Sequence, residues 1–166
     1  MPIPLIFISS TFLEFDVERE QLQRLLTKIL PVGCNLSEVL ASDSRDLESN
    51  LKNQIDKADI LILLLGIRYG SQKGKISWTE REVRHAYERG KKIFPYMKKQ
   101  KPPSRALELD RKKQKALEKL IQFVQKEVSP NIPRYSDMVE LGMLVVRDVL
   151  YEIERLNQLA RDENTD

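Results

Sequence analysis

Three short segments hold the residue types that could do chemistry. Ser9, Ser10, Thr11 and Phe12 follow an apolar run. Their hydroxyls and backbone N–H groups precede a helical pattern, which suits a phosphate or a sugar hydroxyl. The same small residues would equally turn the chain and cap that helix. Arg68, Tyr69 and Gly70 set a guanidinium beside an aromatic ring, a pair able to hold a phosphate and pack on a base or ribose. The alternative is an arginine bound to a nearby carboxylate beside a half-buried tyrosine. Ser77-Trp78-Thr79-Glu80-Arg81-Glu82 contains two overlapping capping boxes, Ser77 with Glu80 and Thr79 with Glu82, so either glutamate can close the first turn of a helix. A carboxylate at that place, if it faces a crevice, instead contacts a ribose or stabilises positive charge at an anomeric carbon. His85 reads as a surface or packing residue within reach of Glu82. Ala86, one turn after Glu82, leaves room for close packing on a sheet.

The surrounding pattern says what must position these residues. Pro4 to Ile8 reads as a buried strand entering a loop at Ser9 to Thr11, and helical spacing follows from Glu14 to Leu30 through Val17, Leu22, Leu25, Leu26 and Ile29. Cys34 to Leu40 is a weak second strand, and Ser44 or Asp46 caps a helix through Leu47, Leu51 and Ile55. Ile60 to Gly66 is apolar on both faces, as a central parallel strand must be. Ile67 to Ile76 lacks periodicity and reads as a loop. A helix from Thr79 to Arg89 stops at Gly90, and Lys91 to Tyr96 is a strand that ends or meets an edge at Pro95. Lys98 to Ser104 is a polar loop. Two long helices follow, about Ala106 to Val128 and about Asp137 to Leu159, with a fifth strand hidden in Ile132 to Tyr135. The last helix runs through Val139, Met143, Val146, Leu150, Ile153 and Leu156. Strands alternating with helices predict a flavodoxin-like three-layer α/β sandwich, with a mostly parallel sheet of four to five strands in the order 2-1-3-4-5 and helices on both faces. One domain spans residues 1–160, and 161–166 form a polar tail. In such a sheet ligands bind beyond the carboxyl ends of the strands where the winding reverses, here between the strand ending at Ser9 and the one ending at Gly66.

Composition narrows the chemistry. Cys34 is the only cysteine and His85 the only histidine, so disulfides, thiolate or multi-histidine metal sites and a Ser-His-Asp triad are not expected. No metal or required cofactor is predicted. The longest apolar run, Ile60 to Ile67, falls far short of the roughly 20 residues a membrane helix needs, and no signal peptide is read, so a cytoplasmic location is expected. Net charge is +3, and the lysine clusters at Lys98 to Lys101 and Arg111 to Lys115 lack interleaved aromatics. Nucleic acid is therefore not expected as a partner.

Ile6-Phe7-Ile8-Ser9-Ser10-Thr11-Phe12, Glu18-Arg19, Leu65-Gly66-Ile67-Arg68-Tyr69-Gly70 and Ser77-Trp78-Thr79-Glu80-Arg81-Glu82, with Ala86 and Gly90-Lys91, resemble the DUF4062 family. That family looks related to TIR domains and to nucleoside 2-deoxyribosyltransferases. It often stands N-terminal to an NTPase in multidomain proteins of immunity or signalling. Deoxyribosyltransferases have a threonine, a glutamate three residues on, an alanine four further and then Gly-Lys, and Thr79, Glu82, Ala86, Gly90 and Lys91 follow that pattern. The resemblance implies that Glu82 is the catalytic carboxylate, nucleophile toward the anomeric carbon or its electrostatic partner. Glu14 stands where the family has an aspartate, and Arg84 where deoxyribosyltransferases have a glycine.

Two readings follow. As an enzyme, an NAD or nucleoside N-glycosidase, the domain cleaves the N-glycosidic bond of NAD or a related nucleotide. Glu82 then contacts the ribose, Ser9 to Thr11 and Arg68 hold phosphates, and Tyr69 or Trp78 packs on a ring. The resemblance to TIR enzymes implies that such a domain assembles before it acts, as a homo-oligomer or with a partner domain. As an interaction module, the same fold signals by self-association without turnover.

Overall fold

The computed structural model describes residues 3–36, 44–99 and 110–162. Its elements run β1 (Leu5–Ser10), α1 (Phe12–Ile29), β2 (Gly33–Leu36), α2 (Ser44–Lys57), β3 (Ile60–Leu65), β4 (Gln72–Lys73), β5 (Ile76–Ser77), α3 (Trp78–Glu88), β6 (Lys92–Lys98), α4 (Arg111–Glu127), β7 (Arg134–Tyr135) and α5 (Met138–Asp162). The main sheet is ordered β2-β1-β3-β6-β7 and its neighbours all pair in parallel. With the small β4–β5 hairpin set aside, this is the predicted 2-1-3-4-5 order. The winding reverses between β1 and β3.

Alternation along the strands sorts two cores. Ile6 and Ile8 of β1 with Ile60, Ile62 and Leu64 of β3 pack against Phe15, Leu22 and Leu26 of α1 and Leu141, Val145 and Val149 of α5. Phe7, Leu61, Leu63 and Leu65 point the other way, toward Leu51 and Ile55 of α2, Val83 and Ala86 of α3, and Leu117, Leu120 and Val124 of α4. All six residues of β3 are buried, as a run apolar on both faces requires. Each large aliphatic side chain so buried is worth about 1.5–3 kcal/mol relative to exposure.

Several boundaries differ from the sequence reading, each for a local reason. The segment expected to be a plain loop at Ile67 to Ile76 contains the antiparallel β4–β5 hairpin, with Gln72 opposite Ser77 and Lys73 opposite Ile76. It is too short to show periodicity. Ser9 and Ser10 end β1 rather than lying in a loop, and Phe12 opens α1. β6 passes through Pro95 to Lys98 because β7 joins it only at Met97 and Lys98, where the N–H groups of Met97 and Lys99 reach Pro133 and Tyr135 carbonyls. Pro95 shares the parity of Met97 and Lys99, so its missing N–H faces a stretch of β6 that β7 does not reach.

The last helix continues through Asp162, absorbing the start of the expected tail. It packs on the sheet with Leu141, Val145, Val149 and Ile153, leaving Val139, Met143 and Leu150 exposed. The expected fifth strand forms at Arg134–Tyr135. Residues 37–40 of the second-strand reading and 100–109, with the start of the fourth helix, lie outside the described residues.

Candidate active site

The segments at Ser9–Thr11, Arg68–Gly70 and Ser77–Glu82 meet at the carboxyl end of the sheet, bound to one another by hydrogen bonds. Helix α3 is started by Ser77, whose Oγ accepts from the N–H of Glu80 at 3.2 Å. A capping box would be completed by Glu80 reaching back to the Ser77 N–H. Instead the Ser77 N–H donates to the Tyr69 hydroxyl at 3.1 Å, and that hydroxyl donates to Glu80 Oε2. The box closes through an inserted phenol. Arg84 holds the other oxygen of Glu80, with Nε and a terminal nitrogen both 2.7 Å away. Burial and the adjacent Glu80 carboxylate push the Tyr69 phenol above its ordinary value of 10.

The two glutamates of the overlapping capping boxes are thereby separated. Glu80 has the capping position, and its two oxygens are bound by Tyr69 and Arg84. Glu82 lies past the first turn, 2 % exposed, and accepts a 2.5 Å hydrogen bond from Ser9 Oγ. Ser9 follows Phe7 by two residues on β1, so strand alternation directs its hydroxyl to the face that α3 covers. The N–H to C=O ladder between Ser9 and Ser10 of β1 and Leu63 and Leu64 of β3 fixes its height.

Thr11 and Glu14 tie the first segment to the second. The Glu14 carboxylate accepts from the N–H of Ile67 at 2.8 Å, the N–H of Arg68 at 3.1 Å and the Thr11 hydroxyl at 3.2 Å. A Cβ on Gly66 would lie 2.0 Å from Glu14 Oε1, so a side chain there would evict the carboxylate. Gly70 has φ +89°, and its absent Cβ would meet the Thr11 methyl at 2.6 Å. The chain needs glycine there on both counts.

Other predicted residues are placed less directly. Ser10 turns toward the α1 and α5 side, with its hydroxyl buried and without a hydrogen-bond partner among the described residues. Arg68 is exposed. Tyr69 is 1 % exposed, its ring in the core and its hydroxyl committed to Ser77 and Glu80. Phe12 is 52 % exposed at the start of α1, under the Arg19 guanidinium at 5.4 Å. Trp78 and Thr79 are buried in the first turn of α3. Trp78, Arg81, Glu82 and His85 of α3 face Glu48, Leu51, Lys52 and Ile55 of α2 across a space of about 20 Å³. That is room for one water, so a sugar reaches Glu82 from this side only if α2 and α3 part.

His85 is held by Asp56 of α2 at 2.9 Å, which Arg89 also binds at 2.9 Å, while Lys91 Nζ donates to the Asp56 carbonyl at 2.6 Å. Arg84 does not fill the space near Ser9. Its guanidinium lies over the Phe123 ring of α4 at 4.3 Å. The Cys34 thiol is buried and pushed up to about 12, which keeps it protonated and unreactive. Sequence reasoning missed the phenol inserted into the capping box and the clip made by Glu14. Only a carboxylate three residues after Thr11 hinted at the second.

The DUF4062 family, a domain of unknown function, matches residues 5–150. The chain belongs to that family. A search of curated proteins finds no match to this DUF4062 chain. Solved structures similar to this chain include the TIR domains of the activated Roq1 resistosome, which recognises the pathogen effector XopQ. The Roq1 TM-score is 0.57 at 13% identity, covering 88% of this chain and 99% of that one. The Clostridium botulinum CMP N-glycosidase BcmB gives 0.53 at 14% identity, covering 85% and 96%. A Leishmania mexicana 2-desoxiribosyltransferase matches 60% of this chain and 67% of its own at 16% identity and 0.46. At these identities the first two show a shared fold.

Proposed function

We propose that this DUF4062 domain is an N-glycosidase acting on NAD or a related nucleotide, with Glu82 as the carboxylate that meets the ribose. The observation that carries the reading is the buried contact between Ser9 Oγ and Glu82 Oε2 at the winding reversal of the sheet. Glu80 takes the capping position beside Ser77, while Glu82 sits further along α3 and accepts from Ser9 of β1. Removing a carboxylate from water is costly, and such burial is worthwhile where it sharpens electrostatics toward a reacting centre. The fold shared with a CMP N-glycosidase supports the reaction class.

Cleavage breaks the bond between the anomeric carbon and the base nitrogen, the electron pair leaves with the base, and positive charge develops on the sugar. The Glu82 carboxylate faces that charge or bonds to the carbon, and water completes hydrolysis. Ser9 orients the carboxylate with its hydroxyl hydrogen. Trp78, which lines the narrow space between α2 and α3 with Glu82, supplies the aromatic wall once those helices part, and Arg68, exposed at the same end of the sheet, supplies charge for a phosphate.

The test is incubation of concentrated or artificially clustered protein with NAD, CMP and a panel of nucleosides, with released base followed by chromatography. We expect base release that Glu82→Gln lowers at least about a thousandfold with the melting temperature unchanged. Absence of product under every clustering condition, or product that survives Glu82→Gln, overturns the reading.

A further inference from the structure

Helix α5 leaves an apolar stripe in solvent. Val139 is 74% exposed, Met143 70% and Leu150 42%, with half-buried Val146 between them. Their spacing of four, three and four residues keeps them in one seam, as two packed helices require. Beside the seam runs an open apolar groove between α5 and Leu25 and Ile29 of α1. Its floor is Gly142, where a Cβ would meet Leu25 at 2.8 Å, so the two helices touch there and the flanking side chains stand up as ridges. One face thus offers both a ridge and a groove.

We propose that this face pairs two copies of the chain, α5 antiparallel to α5, about a twofold axis midway between Met143 and Val146. Val139 then lies opposite the partner's Leu150, and Met143 opposite the partner's Val146. Such an interface is self-complementary, as a twofold contact must be. Charge selects the same occupant. Glu140 and Arg147 are seven residues apart, two helical turns, and so flank the seam on one side. Within one chain Glu140 accepts from the Ser136 N–H at 2.7 Å and from Lys99 at 3.2 Å, and Arg147 lies 2.8 Å from Asp148; in the antiparallel pairing Glu140 of each copy also approaches Arg147 of the other, so opposite charges meet twice.

Area agrees as well. Val139, Met143 and Leu150, with Ile29 of α1 at 51% exposure across the groove, offer roughly 450 Å² of mostly apolar surface per copy. A stable interface uses roughly 800 Å² per partner, and the polar rim supplies the remainder. Patches of this size on a monomer mark interaction sites. The pairing does not depend on the glycosidase reading.

Sedimentation velocity of the chain across the micromolar range tests it. We expect a dimer. Met143→Glu should yield a monomer with the wild-type circular dichroism spectrum, since the side chain contributes little to the core, and with a melting temperature that no longer rises with protein concentration. Arg147→Glu should weaken association at least tenfold, and adding Glu140→Arg to it, which also gives up the Ser136 and Lys99 contacts of Glu140, should tighten the dimer again at least threefold. A wild-type chain that is monomeric throughout overturns the proposal and assigns the face to a different partner. A dimer that persists in Met143→Glu, or a double variant no tighter than Arg147→Glu alone, overturns it too.

Discussion

Where α2, α3 and α4 cover the sheet, its carboxyl edge buries charge. Glu80 and Glu82 are 5% and 2% exposed and each is tied to a hydroxyl from a different strand or loop. Where α1 and α5 cover the sheet, the interior between them is apolar, aliphatic residues packed with Phe15, Tyr96 and Tyr135, and further large apolar side chains are left on the outer surface of α5. The same sheet thus carries one side whose carboxyl edge turns on two buried carboxylates and one that rests chiefly on packing, its polar ties, such as Tyr96 to Asp148 at 2.8 Å and Arg155 to Glu152 at 2.6 Å, lying around that packing. A polar partnership is lost when one member is removed, whereas an apolar surface tolerates change until a second molecule covers it. Substitutions should therefore act very unequally on the two sides.

The sharpest test of that inequality is Glu80→Ala, which strands the Tyr69 hydroxyl and unpairs Arg84 in one step. Denaturant unfolding should show a loss of about 2–3 kcal/mol, and a loss under about 0.5 kcal/mol would break the comparison. Next in size is Gly66→Ala, which forces Glu14 from the Ile67 and Arg68 N–H groups. A loss of about 1–2 kcal/mol is expected, with amide exchange at those two residues accelerated. If those two amides keep their protection, the clip is not what holds the loop.

The smallest effect lies between α2 and α3. Partial burial works to raise Asp56, but the hydrogen bond from His85, with Arg89 beside it, outweighs burial and holds the carboxyl below its ordinary 3.8. A lowered carboxyl adds stability above its unfolded value and loses it as the pH falls through the folded one. The wild type should thus lose part of its stability below about pH 4, and Asp56→Asn should flatten that limb of the curve. Equal acid limbs for both proteins would remove Asp56 from the account.

The parallel order and the point where its winding reverses were legible because their signals are strong and local: a six-residue strand apolar on both faces, and breaks at Pro31, Gly33 and Gly90. What the site does with its glutamates was not legible, since Glu80 and Glu82 both satisfy a capping spacing and only the position of Tyr69 in space separates them. Tyr69 lies eight residues before Ser77, and no periodicity announces that the hairpin folds its hydroxyl under the helix. The apolar residues of α5 were read as a helix, correctly, but spacing alone does not say which of two apolar stripes meets the sheet. Leu141, Val145 and Val149 take that role because Gly142 between them lets α1 come close.

Pro95 has one more consequence. Ahead of Met97, the outer edge of β6 has no sheet neighbour among the described residues, and a bare strand edge is the place where chains zip together into aggregates. The missing amide at Pro95 interrupts the ladder an intruding strand would need. Molecules of this protein can then meet through helices while being discouraged from joining through their sheets.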